Sequence, residues 1–315
     1  MIGEYKEFVI DSAMDRLRLD RALSIMMSDY SRSRIQQWIK DGQVKVDGEV
    51  IQLTKYQVVT GQRIELVTKP AAELSFLPEP LKLEIIHEDC DLIVLNKQVG
   101  TVVHPGAGNY EHTLLNALIF YYPELTTLPR AGIVHRLDKD TSGIMVVARN
   151  LAAHYYLTKQ LQERKVKREY VAVVHGLIIS GGTINENIGR HPFKRTMMSV
   201  KKTGKIAITH YRVIEKFEHY TYLKLQLETG RTHQLRVHLS YLGYPIVGDQ
   251  CYSNRTKVIK QVAAEVKKAI ESFPRQALHA LKLELVHPGT NQLVSWKAPI
   301  ATDIGNLLKT LRANR

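Results

Sequence analysis

The spacing of apolar residues changes character along this 315-residue chain. Near the start, Leu19, Ala22, Leu23, Met26 and Met27 recur at helical intervals and Ile35, Trp38 and Ile39 repeat the pattern, so two short amphipathic helices are predicted. Ser31 is placed to cap the second helix and Gly42 to end it. Val44-Lys45-Val46, Asp47-Gly48 and Val50-Ile51 predict a hairpin, because Asp and Gly accept the left-handed backbone of a two-residue loop. Beyond residue 83 the signal becomes apolar-rich runs at 92–95, 144–147, 170–174, 206–214 and 222–227, which read as strands. Segments 112–121, 151–164, 232–242 and 256–272 read as helices. The fold class expected is α+β, with a small helix-and-hairpin domain over 16–70, a linker over 71–82 marked by Pro78 and Pro80, and a larger mixed domain over 83–315.

One polar stretch interrupts the apolar pattern of the larger domain. In RAGIVHRLDKDTSG (130–143), Ile133-Val134 and the run 144–147 read as two buried strands, so the segment between them must leave the core as a loop. Asp138 in that loop is flanked by Arg136 and Lys139, cations that favour its charged form and suit it to act as a nucleophile or base. The string differs from a protein-kinase catalytic loop, because Leu137 separates Arg136 from Asp138 and neither DFG nor GxGxxG occurs downstream. A glycosidase-like carboxylate pair needs a second placed acid; Asp140 is near in sequence, but its spacing sets no such separation.

Composition narrows the partner. Lys and Arg outnumber Asp and Glu by 44 to 31, which points to a polyanion, and positive charge is concentrated between Arg190 and Lys205, a segment without a single acid. The 44% apolar content supplies a real core, and no apolar run is long enough to span a bilayer. The two cysteines, Cys90 and Cys251, lie far apart, and His233 and His238 form no HExxH pattern, so neither a disulfide framework nor a metal or other cofactor is expected. A cytoplasmic protein, monomeric and without membrane contact, is the expectation.

HRLDKDTSG, with Gly132-Ile133-Val134 before it, resembles the catalytic motif of the RluA-type pseudouridine synthases. Further blocks resemble that family in the same order: Asn96-Lys97 with Gly100 and His104-Pro105, Lys167-Arg168-Glu169-Tyr170, LETGRTHQLRVH (227–238), RQALHA (275–280) and His287-Pro288. Arg18-Leu19-Asp20, Ser31 to Arg34, Gly42-Gln43-Val44 and Gly61 to Ile64 are similar to the S4 RNA-binding domain. The resemblance implies a large, mostly antiparallel mixed sheet flanked by helices, with its active site in a central cleft. It also implies isomerisation of uridine in RNA. Asp138 would be the essential carboxylate, paired with Arg231, with Arg236 as the alternative, and Tyr170 would pack on the target base. Arg136 would enter the space left by the flipped base, with Thr141 shaping the turn, and Arg18, Arg21, Arg32, Arg34 and Lys45 would contact phosphates. Asp138 could add to the base, trap the sugar or remove its 2′ hydrogen.

The domain order resembles bacterial members that modify large-subunit ribosomal RNA, so that RNA or a pre-ribosomal particle is the expected partner. Two types of member with different target uridines share the order, and a non-catalytic assembly factor is the competing class. Gln98, Asp47 and Ser253 depart from the family pattern, outside the catalytic set.

Overall fold

The computed structural model describes residues 4–27, 30, 32–68, 77–106, 109, 111–194, 196–253 and 262–315. The chain forms two compact units, Met1–Phe76 and Leu77–Arg315. The expected cap Ser31, the first half of the linker and the start of the helix expected over 256–272 lie outside the described residues.

The first unit contains β1 (Glu4–Val9), α1 (Leu19–Met26), α2 (Arg32–Lys40), β2 (Val44–Val46), β3 (Glu49–Val50) and β4 (Arg63–Thr68). Its strands pair antiparallel in the order β1-β4-β2-β3, so the unit starts before the expected residue 16. Leu19, Ala22 and Leu23 from α1 and Ile35, Trp38 and Ile39 from α2 meet Val44, Val46, Ile64 and Leu66 of the sheet in one apolar core. Met27 and Trp38 are buried there, and the hairpin turns at Asp47 (φ 50°) and Gly48 (φ 85°). The Asp47 carboxylate accepts from the Arg63 backbone N–H at 2.8 Å, tying the turn to β4.

The second unit contains β5 (Ile85–Glu88), β6 (Leu92–Lys97), α3 (Leu114–Tyr121), β7 (Ser142–Ala148), α4 (Leu151–Gln162), β8 (Lys167–His175), β9 (Gly182–Asn185), β10 (Ile188–Arg190), β11 (Met198–Val200), β12 (Ile208–Lys216), β13 (Tyr220–Leu227), α5 (Gln234–Tyr241), α6 (Ala264–Glu271), β14 (Leu278–Val286), β15 (Leu293–Lys297) and α7 (Thr302–Ala313). Among the described residues nine strands form one sheet in the order β5-β6-β7-β14-β8-β13-β12-β9, with β15 on β14; β10 and β11 form a separate hairpin. Every pairing in the large sheet is antiparallel except β7 with β14.

That parallel joint positions the polar loop. Ser142 and Gly143 at the start of β7 lie opposite His279 and Ala280 of β14. A Cβ on Gly143 (φ 118°) would stand 2.2 Å from the Ala280 carbonyl oxygen, so the two backbones approach in a way that only glycine permits. Ile133-Val134 is a correction to the expected strand. Ile133 makes a single antiparallel bridge to Val147, because Arg130, Ala131 and Gly132 (φ 53°, 50° and 75°) coil left-handed and bring the chain alongside β7 without a ladder.

Candidate active site

The loop between Ile133 and β7 is held by hydrogen bonds to its carbonyl oxygens. The Asp138 carbonyl accepts from the Thr141 N–H at 3.1 Å, closing a turn. The Lys139 carbonyl accepts from the Gly100 N–H at 3.0 Å and from Lys97 Nζ at 2.8 Å. Lys97 is 2% exposed and also donates to the Gln98 and Thr101 carbonyls. Burial pushes its pKa down to about 7, against the pull of Asp140 and Asp138. Arg275 donates to the Asp140 carbonyl at 3.0 Å and is anchored by Asp303 at 2.6 and 2.8 Å, while Gln276 donates to the Thr141 hydroxyl at 3.1 Å. The blocks at 96–100 and 275–280 are thus the clamps of the loop, and their donors satisfy backbone groups that would otherwise be costly to bury.

The loop presents Asp138 to a cleft of about 940 Å³, whose lining includes Arg136, Thr141, Arg168, Tyr170 and Arg236. Arg236 Nη1 lies 3.1 Å from Asp138 Oδ2. The other edge of the same guanidinium grips Asp249, Nε to Oδ2 at 2.7 Å and Nη2 to Oδ1 at 2.9 Å. Asp249 is 2% exposed and also accepts from the Cys251 and Tyr252 backbone N–H groups. Burial works against the Arg236 charge, but the two carboxylates outweigh it and hold its pKa above the usual arginine value. His233 Nε2 stands 4.0 Å from Asp138 Oδ1, with Nδ1 2.7 Å from the Tyr252 hydroxyl.

The expected pairing of Asp138 with Arg231 is therefore corrected to Arg236. Arg231 precedes α5, its Nε donates to the Ile206 carbonyl at 3.0 Å and its backbone N–H is capped by Gln234, so its guanidinium is held elsewhere on the cleft lining. Tyr170, 6% exposed, reaches the cleft from β8, and Arg136 is exposed on its lining. Thr141, 2% exposed, packs under the turn. A second cleft of about 480 Å³ shares Gly230, Arg231 and Thr232 with the first and is lined by Arg190 and Lys205 of the basic segment. Burial of Tyr170 raises its pKa, with Arg168 opposing and Asp138 adding.

His135, partly buried, lies on the cleft lining. Its Nε2 accepts from the Val146 N–H at 3.1 Å, and burial, aided by Arg168, pushes its pKa from 6.5 down to about 3. Between those values the unfolded chain binds a proton that the folded state refuses, so the stability held above pH 6.5 is lost as pH falls towards 3. We expect His135→Gln, whose amide oxygen is uncharged, to flatten the decline of unfolding free energy by up to about 1.4 kcal/mol per pH unit in that window. Urea unfolding at a series of pH values measures it; identical slopes for both proteins would contradict it.

The first unit places its expected contacts differently from one another. Arg21 and Lys45 are exposed. Arg18 and Arg32 both donate to the buried Asp20, at 3.0 and 2.9 Å. Burial alone would raise the Asp20 pKa, but donors from Arg18, Gln36 and Arg32 outweigh it and hold it low. Arg34 lies over the Trp38 ring, 5.2 Å from its centroid. Among the described residues, Asp89, Asp91 and His287 group donor atoms within 4.8 Å, but none lines the cleft. His287 Nδ1 accepts from the Gly289 and Thr290 N–H groups, which turns its Nε2–H onto Asp89. This cluster is a hydrogen-bonded strut between β14 and the turn before β6.

Residues 91–241 match the RNA pseudouridylate synthase family model, and residues 17–64 match the S4 domain model. A protein of Pasteurella multocida named ribosomal large subunit pseudouridine synthase D is 47% identical, over 94% of this chain and 92% of that one. One of Salmonella typhi with the same name is 48% identical, over 94% of this chain and 91% of its own. Among solved structures, human RNA pseudouridylate synthase domain containing 4 superposes with a TM-score of 0.57 at 26% identity, over 73% of this chain and 93% of that one. Human RNA pseudouridylate synthase domain containing 1 gives 0.54 at 27% identity, over 75% and 96%. With almost half of its residues shared with such relatives over nearly their whole length, the chain belongs to the RNA pseudouridylate synthase family.

Proposed function

We propose that this enzyme converts specific uridines of large-subunit ribosomal RNA to pseudouridine in the cytoplasm, acting as a monomer, with Asp138 as the catalytic carboxylate. The reaction breaks the glycosidic bond, turns the uracil and rejoins it to the sugar through carbon 5. Reactants and products have the same oxidation state and composition, so the site has to supply a placed carboxylate and a closed pocket for a base taken out of its stack.

The observation that carries this reading is the Asp138–Arg236–Asp249 chain on the cleft that Tyr170 also lines. Arg236 holds one oxygen of Asp138, and the carboxylate faces the space where a base on Tyr170 and its sugar would meet. Asp140 does not line the cleft, which disfavours a glycosidase-like pair. Arg136, exposed beside Asp138, is suited to fill the gap that the flipped base leaves, and Arg231 to contact a phosphate along the basic surface that runs to Lys205. In the first unit Arg21, Lys45 and Arg34 are the proposed RNA contacts. Arg18 and Arg32 combine that role with their pairing to Asp20.

The ribosomal target is supported by the names of the relatives and by the S4 match. Incubation with unmodified large-subunit RNA, or with precursor particles, and mapping of pseudouridine at every uridine tests it. New pseudouridines at a few defined positions are expected. Tight binding with no modification of either substrate would instead favour the assembly-factor reading.

A further inference from the structure

Among the described residues, no carboxylate pairs with the buried cation of Arg168. It is 8% exposed, it lines the cleft, and its Nε is shut off from solvent with no hydrogen-bond partner. The other buried arginines of the second unit have theirs, Asp249 and Asp138 for Arg236 and Asp303 for Arg275. Arg168 and Tyr170 stand two apart on β8 and so share one face of the sheet. Gly230 leaves the guanidinium its room, since a Cβ there would come within 2.8 Å of Arg168 Nη1. A buried charge without a partner is costly, so a site that keeps one is prepared for a ligand that supplies the counter-charge.

We infer that Arg168 binds the uracil through a carbonyl oxygen and stabilises the negative charge that the base carries while it is detached, an assignment that rests on the reading of the cleft given above. When the glycosidic bond breaks, its electron pair leaves with the ring nitrogen and spreads onto the two carbonyl oxygens. The pair is returned when carbon 5 bonds to the sugar, and the proton lost from carbon 5 ends on the nitrogen. For that interval the detached base is the anion in the cleft, since Asp138 has spent its charge on a bond to carbon or on the 2′ hydrogen, and Arg168 offsets it. A backbone phosphate is the less fitting occupant, because the base is the part of a flipped nucleotide that goes deepest, while phosphates stay hydrated at the rim. Donors placed where charge develops act on the rate more than on binding.

The test uses full-length wild type, Arg168→Lys and Arg168→Gln in single-turnover assays at saturating RNA, with uridine or 5-fluorouridine at the target position; fluorine leaves no proton on carbon 5 to be lost, so consumption of the starting nucleoside is the rate read for both. Dissociation constants are measured across a salt series. Arg168→Gln should slow uridine conversion by about 10²- to 10³-fold, Arg168→Lys less, with RNA affinity within about twofold of wild type. Fluorine makes the uracil anion less basic and a better leaving group, so the gap between Arg168→Gln and wild type should narrow with 5-fluorouridine. A variant that is merely misfolded would lose the same factor on both substrates. An equal gap, or an unchanged rate, overturns the assignment. Weaker binding with the saturated rate intact and a salt slope smaller by about one overturns it in favour of a phosphate contact. Wild-type conversion of uridine is the control that tests the substrate reading separately.

Discussion

Asp138→Asn is expected to reduce pseudouridine formation by roughly 10⁴-fold or more while leaving the fold and RNA affinity close to wild type. Asparagine has the shape of aspartate and keeps an oxygen for Arg236 Nη1, so the loop has no reason to move. The turn itself is closed by backbone groups and held by Lys97 and Arg275, none of which involves the Asp138 side chain. Arg236 retains both bonds to Asp249, so no buried cation is stranded. What disappears is the negative charge and the lone-pair reactivity on which each of the three routes depends, whether attack on the base, attack on the sugar or removal of the 2′ hydrogen. Pseudouridine mapping at equal RNA occupancy, with affinity measured alongside, is the check. Product at the wild-type rate would remove Asp138 from the chemistry, and loss of affinity matching the loss of rate would make it a binding residue.

Local chemistry was readable from the chain wherever a few neighbouring residues decide the outcome. Asp47-Gly48 demands a two-residue hairpin turn whatever surrounds it, and both residues take the left-handed backbone. The solid runs at 92–95 and 144–147 can only be buried, and they form the adjacent strands β6 and β7. Ile133-Val134 misled because two apolar residues look like a strand, whereas three left-handed residues before them set the path of the chain. Helix α7 went unread although Ile304, Leu307, Leu308 and Leu311 carry its spacing and are all buried. In the site, Asp138 and Tyr170 sit in motifs and could be named, but the partner of Asp138 depends on how α5 is rotated. A signal was present: Arg236 lies between Leu235 and Val237 in a helix buried from Gln234 to Leu239, and an arginine there must find an anion. Arg231, just outside the helix, is under no such constraint. That Asp249 is the second anion rests on tertiary packing, which spacing along the chain does not encode.

Arg236→Met should be damaging twice over. Asp249 has a fully buried carboxylate, and without the guanidinium fork it would keep only backbone donors. Breaking a buried pair by removing one partner costs about 3–5 kcal/mol, a large share of the stability of an ordinary domain. Asp138 would lose the donor on its Oδ2 in the same step, so activity should fall even under conditions where the variant stays folded. Arg236→Lys restores a charge but not the planar fork that reaches two carboxylates at once, so it should recover stability better than rate. The double variant Arg236→Met with Asp249→Asn separates the two effects. It removes both buried charges, and neutral replacements of a buried pair are often well tolerated, so denaturant unfolding should return towards the wild-type midpoint while pseudouridine formation stays lost. A double variant that regained activity along with stability would show that Arg236 only props up the fold. A single Arg236→Met protein as stable and as active as wild type would mean that the chain from Asp138 through Arg236 to Asp249 does not orient the carboxylate at all.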